Sequence, residues 1–325
     1  MNPRILVTGG AGFIGSAYVR FLLGPRAPGG MAVTVLDKLT YAGSLDRLDA
    51  VRENVDLTFV QGDVCDASLV SALAAEHDQI VHFAAESHVD RSIEDGGAFT
   101  RTNVLGTQVL LDAALRHGVR TFVQVSTDEV YGSLPHGAAK ESDPLRPTSP
   151  YAASKAAADL LALAHHHTHG LDVRVTRCSN NFGPHQHPEK LIPRFLASLL
   201  AGGTVPLYGD GQHIRDWLHV DDHVRAVELV RDSGRPGEIY NIGGGTSLTN
   251  LELTHRLLAL CGADPERIVH VENRKGHDRR YAVDHTKITS ELGYRPRNDF
   301  AAALAETAEW YKRHSAWWSP LLDAA

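Results

Sequence analysis

The chain has 325 residues, 43% hydrophobic and 22% charged, with a formal net charge of −7. That length leaves room for a large core and suggests two domains, and an acidic chain disfavours nucleic acid or an anionic membrane as the main partner. No apolar run approaches the roughly 20 residues needed to span a bilayer, and Cys65, Cys178 and Cys261 are too few and too scattered for a disulfide framework or a CxxC zinc site, which points to a reducing cytoplasm.

Residues Arg4 to Thr8 read as a short apolar strand, entered without a charged leader or long apolar region, so no export signal is expected. The strand runs into Gly9-Gly10-Ala11-Gly12-Phe13-Ile14-Gly15 and a helical pattern through Leu23. Glycines at 9, 12 and 15 form a variant of the dinucleotide fingerprint: one for the turn, one for close approach of the backbone to a pyrophosphate, one for packing helix on strand. The helix N-terminus then faces the phosphates. A second strand, Ala32 to Leu36, ends in Asp37 at about the 20-residue distance where a carboxylate binds both ribose hydroxyls of an adenosine. Asp37 would repel a 2′-phosphate, so NAD is expected rather than NADP, with Lys38 the one neighbouring charge that favours the alternative.

The alternation continues. Strand Leu57 to Gln61 ends at Gly62-Asp63-Val64, a helix follows near Ala67 to Glu76, and strand Gln79 to Phe83 ends at Ala84-Ala85-Glu86-Ser87-His88, where small residues would let a cofactor pass close to the backbone. Strands and helices at this spacing predict an α/β fold, a doubly wound parallel sheet of Rossmann type. A helical pattern from about Phe99 to His117 leads to strand Thr121 to Val125 and then Ser126-Thr127-Asp128-Glu129-Val130-Tyr131-Gly132. These polar residues fall at the carboxyl end of the sheet, where open α/β folds keep their ligands, and two adjacent carboxylates there are costly unless they act on something. A proline-rich loop (Pro135, Pro144, Pro147, Pro150) ends just before Tyr151. Tyr151 and Lys155 stand at i and i+4 on one face of a helix reaching about His167, where an ammonium beside a phenol lowers the phenol's pKa. This helix and the one from Phe99 carry apolar residues on more than one face and are expected to pair across a homodimer.

After strand Leu171 to Arg177 comes Cys178-Ser179-Asn180-Asn181-Phe182-Gly183-Pro184, and the regular alternation breaks. The expected division is an NAD-binding domain over 1–180, rejoined by the chain around 217–240, and a smaller mixed α/β substrate-binding cap over 181–325. Lys190, Arg215, Asn250, Arg274, His277 and Arg280 recur in the cap, and forked arginines suit a diphosphate. Thr249-Asn250-Leu251-Glu252 fits a capping box opening a helix toward Cys261. His165, His166, His167 and His169 would project around a helix rather than toward one point, so no metal is expected.

With Gly9, Gly12 and Gly15, Asp37, Tyr151 and Lys155 in place, the chain resembles the extended short-chain dehydrogenase/reductase superfamily along nearly its whole length. More narrowly, the stretches 126–132, 84–91, 178–184, 215–221 and 276–281 resemble the dTDP-glucose 4,6-dehydratases, with Thr127-Asp128-Glu129 the specific part and Phe182 a departure where tyrosine is more usual. The resemblance implies a dehydration of dTDP-glucose to dTDP-4-keto-6-deoxyglucose by internal hydride transfer from C4 to NAD to C6. By the same resemblance Tyr151, with Lys155, is the base at the C4 hydroxyl, Thr127 hydrogen-bonds that oxygen, Glu129 is the base at C5, and Asp128, protonated, is the acid at the C6 hydroxyl. It also implies Phe13, Ile14, Asp37, Lys38, Leu39, Thr40, Asp63, Val64, Ala84, Ala85, Ser87, Thr102 and Asn181 near the cofactor. Near the sugar nucleotide it implies His88, Asn180, Lys190, Leu191, Ile192, Pro206, Leu207, Tyr208, Arg215, Asn250, and Arg274 to Tyr281 with His277. Two other readings share these residues: a UDP- or GDP-sugar epimerase, dehydratase or decarboxylase on the same scaffold, and an NAD-sensing regulator without catalysis. The regulator is disfavoured because Tyr151, Lys155 and both carboxylates are all present.

Overall fold

Apolar runs bounded by glycine and acidic residues become the strands of one large sheet in a computed structural model that describes residues 3–25, 27 and 29–322. The outermost positions of the two expected domain ranges, 1–2 and 323–325, lie outside the described residues. From the N-terminal side the elements are β1 (Arg4–Thr8), α1 (Phe13–Leu23), β2 (Ala32–Asp37), β3 (Leu57–Gln61), α2 (Ala67–Ala74) and β4 (Gln79–His82). Then come α3 (Val89–Glu94), α4 (Gly96–Phe99), a π-helical turn over Thr100–Leu105, α5 (Gly106–His117), β5 (Thr121–Thr127), a 3₁₀ turn over Asp128–Tyr131, α6 (Pro150–His169) and β6 (Val173–Cys178).

The remainder comprises β7 (Asn180–Phe182), α7 (Leu191–Leu200), β8 (Val205–Tyr208), β9 (Ile214–His219), α8 (Val220–Ser233), β10 (Ile239–Ile242), β11 (Thr246–Thr249), α9 (Asn250–Cys261), β12 (Ile268–Val271), α10 (Thr286–Leu292), α11 (Phe300–Arg313) and α12 (Ser315–Leu322).

Seven strands pair in the order β10-β6-β5-β4-β1-β2-β3, every pair parallel. The chain starts at β1 in the interior, builds outward to β3, then crosses back to β4 and builds the other way. The strand ends therefore part between β1 and β4, which is where a ligand crevice opens in such a sheet. Both faces are covered: Val7, Val35, Val81, Val123 and Val227 lie in one core layer, and Leu6, Leu36, Ile80, Phe122 and Leu110 in the other. Each such fully buried Val, Leu or Phe contributes on the order of 1.5–3 kcal/mol.

A second core holds Phe182, Ile192, Leu196, Leu253, Leu304 and Trp318. Around it stand β7, β9 and β11 in one small sheet and β8 with β12 in another. The chain returns to the large sheet through α8, whose Val220, Val224 and Val230 join the first core, and through β10 at the sheet edge. Phe182, with its ring 5.3 Å from that of Phe300 and 1% exposed, sits in this apolar layer.

Three local features differ from the sequence expectation. Strand β5 runs two residues further, so Ser126 and Thr127 are strand residues and the turn begins at Asp128. The helical pattern from Phe99 to His117 is interrupted by the π turn, and its wide geometry aims Asn103 out of the helix. There Asn103 accepts from the Glu86 N–H (2.9 Å) and donates to the Glu86 carbonyl (3.0 Å) and Ser154 Oγ (2.8 Å). Helix α3, capped by the His88 ring accepting from Arg91 N–H, arises where no helix was expected.

The capping box at Thr249 forms reciprocally: Thr249 Oγ1 accepts from Glu252 N–H (3.1 Å) and Glu252 Oε2 accepts from Thr249 N–H (2.8 Å). Thr249→Ala removes one half of it, and urea unfolding is expected to report a loss of about 1 kcal/mol. No loss would mean that the box is dispensable.

Candidate active site

The turn after β1 can be made only by residues without a Cβ. Gly9 has φ +72°, and a Cβ there would meet Ala84 N at 2.5 Å; at Gly15 it would lie 2.2 Å from the Gly9 carbonyl oxygen. Gly12 caps α1 in extended conformation and offers no side-chain acceptor, so the first N–H groups of the helix face the crevice free for an anion. Asp37 braces this loop. Its Oδ2 accepts from Ala11 N–H at 2.9 Å and its Oδ1 from Leu39 N–H at 2.8 Å. Lys38 donates to Asp63 Oδ2 at 2.7 Å, which offsets the charge that would otherwise welcome a 2′-phosphate.

A cleft of about 340 Å³ runs from here across the strand ends. Its lining includes Gly9, Gly12, Phe13, Ile14, Gly15, Asp37, Lys38 and Thr40 at one end, Asp63, Val64, Ala84, Ala85, Ser87 and Thr102 along its length, and Tyr151, Lys155 and Asn181 at the other. Leu39 does not line it. With φ +55° it turns the chain and contributes its N–H to Asp37. A glycine cradle, an uncapped helix start and a carboxylate at the end of β2 together fit a dinucleotide. Asp37→Asn puts an amide donor against one of two backbone donors, so NAD affinity of the cofactor-stripped chain should fall about 10- to 100-fold, the equivalent of one hydrogen bond to a charged group. Titration calorimetry measures this, and an unchanged affinity would remove Asp37 from the binding set.

At the far end of the cleft the reacting groups converge. Thr127, last in β5, donates to Asp128 Oδ1 and accepts from Glu129 N–H, both at 3.3 Å. Asp128 is 3% exposed, and Asp128 Oδ2 and Glu129 Oε2 are buried without partners. Ser149 accepts from Ala152 N–H and Pro150 occupies the first turn, which fixes the start of α6 and sets Tyr151 beside Phe99. Lys155, 3% exposed, donates to the Val125 carbonyl at 2.7 Å.

Burial is the main influence on all four ionisable groups. It lifts Asp128 well above the usual carboxylate range, and the charges of Glu129 and Asp216 add to this. Glu129 is lifted as well, but Arg274, Lys190 and Arg215 pull it back toward ionisation. The expected lowering of the Tyr151 phenol is not produced by the chain's own groups: burial and the Glu129 charge push it up, the Thr127 hydroxyl alone opposing by hydrogen bond. Burial lowers the Lys155 ammonium, and the Asp159 carboxylate counters that.

A second cavity of about 170 Å³ opens off the cleft, and Glu129, Asn180, Glu189, Lys190, Leu191 and Trp217 line both. Glu129 thus stands at the junction. His88, Pro206, Leu207, Tyr208, Arg215, Asn250, Arg274, His277 and Tyr281 line the second cavity alone. Thr127 and Ile192 line only the first, and Ile192 is 1% exposed within the cap core. Lys190 donates to the Ser87 carbonyl at 2.7 Å, tying the start of α7 to the loop after β4. Arg215 lies over the Tyr281 ring at 4.3 Å and donates to the Asp278 carbonyl. His277 stacks on His213 at 3.7 Å, and burial and nearby arginines hold it neutral, pushed down to about 2. Glu189 and Trp217 had no assigned role in the sequence, although Trp217 falls inside the 215–221 stretch that resembles the family; Glu189 lies outside all such stretches. Glu189 Oε2 is buried at the junction without a hydrogen-bond partner, 4.0 Å from His88 Nε2.

The GDP-mannose 4,6 dehydratase family model matches residues 6–307. Over 324 residues the chain is 62% identical to a dTDP-glucose 4,6-dehydratase of Streptomyces griseus, an alignment that spans 100% of this chain and 98% of that one. The chain belongs to the dTDP-glucose 4,6-dehydratase family. A solved member of that family, DesIV from Streptomyces venezuelae with NAD bound, superimposes with a TM-score of 0.96 at 58% identity, covering 98% of this chain and 99% of the other. A UDP-glucose 4-epimerase from Thermotoga maritima shares the fold at a TM-score of 0.88 and 32% identity, covering 95% and 99%. The scaffold therefore serves more than one reaction, and in this dehydratase family member the choice has to be read from the site.

Proposed function

We propose that this chain converts dTDP-glucose to dTDP-4-keto-6-deoxyglucose and water, with NAD as its resident cofactor. The observation that carries the reading is the buried Asp128–Glu129 pair in the first cleft, with Glu129 at its junction with the second cavity and an unpartnered oxygen on each. A simple 4-epimerisation needs one base at C4 and no acid–base pair at C5 and C6.

Bound NAD supplies the acceptor for the C4 hydride and, once reduced, the donor to C6. Tyr151 takes the C4 hydroxyl proton, and Lys155 adds positive charge behind it. Thr127 hydrogen-bonds the C4 oxygen. A ketone at C4 acidifies the C5 proton, which Glu129 removes, while Asp128 gives its proton to the departing C6 hydroxyl. The division suits their surroundings, since Glu129 has three cations favouring its ionised form and Asp128 has a carboxylate on either side favouring its protonated form. Arg215, Arg274 and Lys190 are the cations for the diphosphate.

The pH dependence has a definite sign. Glu129 must be ionised, so turnover rises with pH through its ionisation, at a value above the ordinary glutamate range. Asp128 must be protonated, so turnover falls again as it ionises. A kcat profile with its acid limb in the ordinary carboxylate range would contradict the burial of Glu129.

The active unit is a homodimer in the cytoplasm. Support for the first comes from Leu105 and Leu160, 47% and 59% exposed on the α5 and α6 side, and for the second from three free cysteines. The direct test of the function is to incubate the purified protein, without added NAD, with dTDP-glucose and separately with UDP-glucose. Product from dTDP-glucose alone is the expected result. Product from UDP-glucose alone, or from neither, overturns the reading.

A further inference from the structure

Behind the reacting groups lies a buried chain of hydrogen bonds that no catalytic step uses. Arg177, 2% exposed, is the partner of Ser126 in the β5–β6 register. Its Nε donates to Asp159 Oδ2 at 2.9 Å, and its Nη1 donates to Tyr131 Oη at 2.9 Å. Asp159, fully buried, is one helical turn beyond Lys155 on α6. Tyr131 is the last residue of the 3₁₀ turn that begins with Asp128 and Glu129. Tyr131 in turn donates to Asn241 Oδ1 at 2.8 Å, and Asn241 donates to the Ala139 carbonyl at 2.9 Å.

We propose that Arg177 is a positioning residue that holds the Tyr151–Lys155 helix and the Asp128–Glu129 turn in register, through Asp159 on one side and Tyr131 on the other. Stability alone does not account for it. A buried ion pair recovers little more than its own desolvation, and apolar residues of equal volume would pack at least as well. Only the guanidinium fork can donate in two directions at once with fixed angles between them. The pair also has an electrostatic effect at the site, since the Asp159 charge opposes the burial that weakens the Lys155 ammonium, and Arg177 in turn opposes the burial that raises Asp159.

The inference rests on the dehydratase reading, in which two sets of residues act in sequence on one sugar. The first set leaves a 4-ketone, and the second must reach C5 and C6 of that ketone before the hydride returns to C4. Their relative placement therefore sets the ratio of elimination to return, and a displacement of about 1 Å can cost up to 100-fold in such a step.

The test uses Tyr131→Phe, which removes the hydroxyl and keeps the ring that lies 4.9 Å from the Arg177 guanidinium. Asp159→Asn is measured in parallel, because it keeps the shape of the pair and removes its charge. Each holoprotein is mixed with dTDP-glucose, reduced nicotinamide and 4-keto-6-deoxy sugar are followed together, and the melting temperature is recorded. The expected result in Tyr131→Phe is elimination slowed about tenfold or more relative to hydride transfer, so that reduced nicotinamide builds up where the unmutated protein shows little; in Asp159→Asn, where the Lys155 ammonium loses its counter-charge, hydride transfer is slowed about tenfold or more relative to elimination. A purely structural role would lower the melting temperature and reduce both steps in equal proportion, and that unchanged ratio would overturn the proposal. Absence of 4-keto-6-deoxy product from the unmutated protein would instead overturn the dehydratase reading.

Discussion

Glu129→Gln is expected to lower formation of the 4-keto-6-deoxy sugar by about 10²- to 10⁴-fold, the usual contribution of a positioned general base, while hydride transfer from C4 persists. The substitution keeps the size of the side chain and its place at the junction of the two cavities, so substrate should still bind. What it removes is a carboxylate that burial lifts and that Arg274, Lys190 and Arg215 pull back toward ionisation, which leaves it poised to take a proton. The amide also leaves Asp128 with one repelling charge fewer, which shifts its acid strength upward without supplying a base. A single turnover should then stop at the 4-ketone, seen as near-ultraviolet absorbance of reduced nicotinamide that does not decay. If hydride transfer and elimination fall together, Glu129 is not the base at C5.

Tyr151→Phe gives the opposite pattern. Hydride cannot leave C4 unless the hydroxyl proton goes too, and within the described residues Tyr151 is the group placed by α6 to take it. The variant is expected to lose about 10²- to 10⁴-fold in overall turnover and to show no reduced nicotinamide at any stage. Cofactor content should stay at the level of the unmutated protein, because the glycine loop and Asp37 are untouched. The two variants together separate the halves of the site: one stalls with the nicotinamide reduced, the other before reduction. Accumulation of reduced nicotinamide in Tyr151→Phe would assign the C4 proton to a different group.

Much of the large sheet could be read in advance because its inner strands are short apolar runs buried on both faces, as in Ile5 to Val7 of β1. Strand β5 is a lesson in where that reading stops. Ser126 and Thr127 look like turn residues, yet parallel pairing with Arg177 and Cys178 carries the strand through them. The π turn at Thr100–Leu105 was not legible, since the Asn103 contacts that accompany it, to the Glu86 backbone and Ser154, are made across the fold. In the cap, β7, β9 and β11 come from widely separated stretches, and no local periodicity brings Trp217 and Glu189 to the same cavity wall. Motif spacing pointed to Tyr151 and Lys155 as neighbours on a helix. It could not say that burial and the Glu129 charge would push the phenol up, because that depends on what surrounds the pair.

The central claim is that one hydride leaves C4 and returns to C6 of the same sugar while Glu129 exchanges the proton at C5. It is tested most directly with dTDP-glucose carrying deuterium at C4, turned over by the protein with its own NAD in ordinary water. The expected product is the 4-keto-6-deoxy sugar with the deuterium at C6 and a solvent proton at C5. A 4-keto-6-deoxy product that has lost the deuterium to solvent, or a 4-hydroxy sugar that still carries it at C4, would contradict the claim.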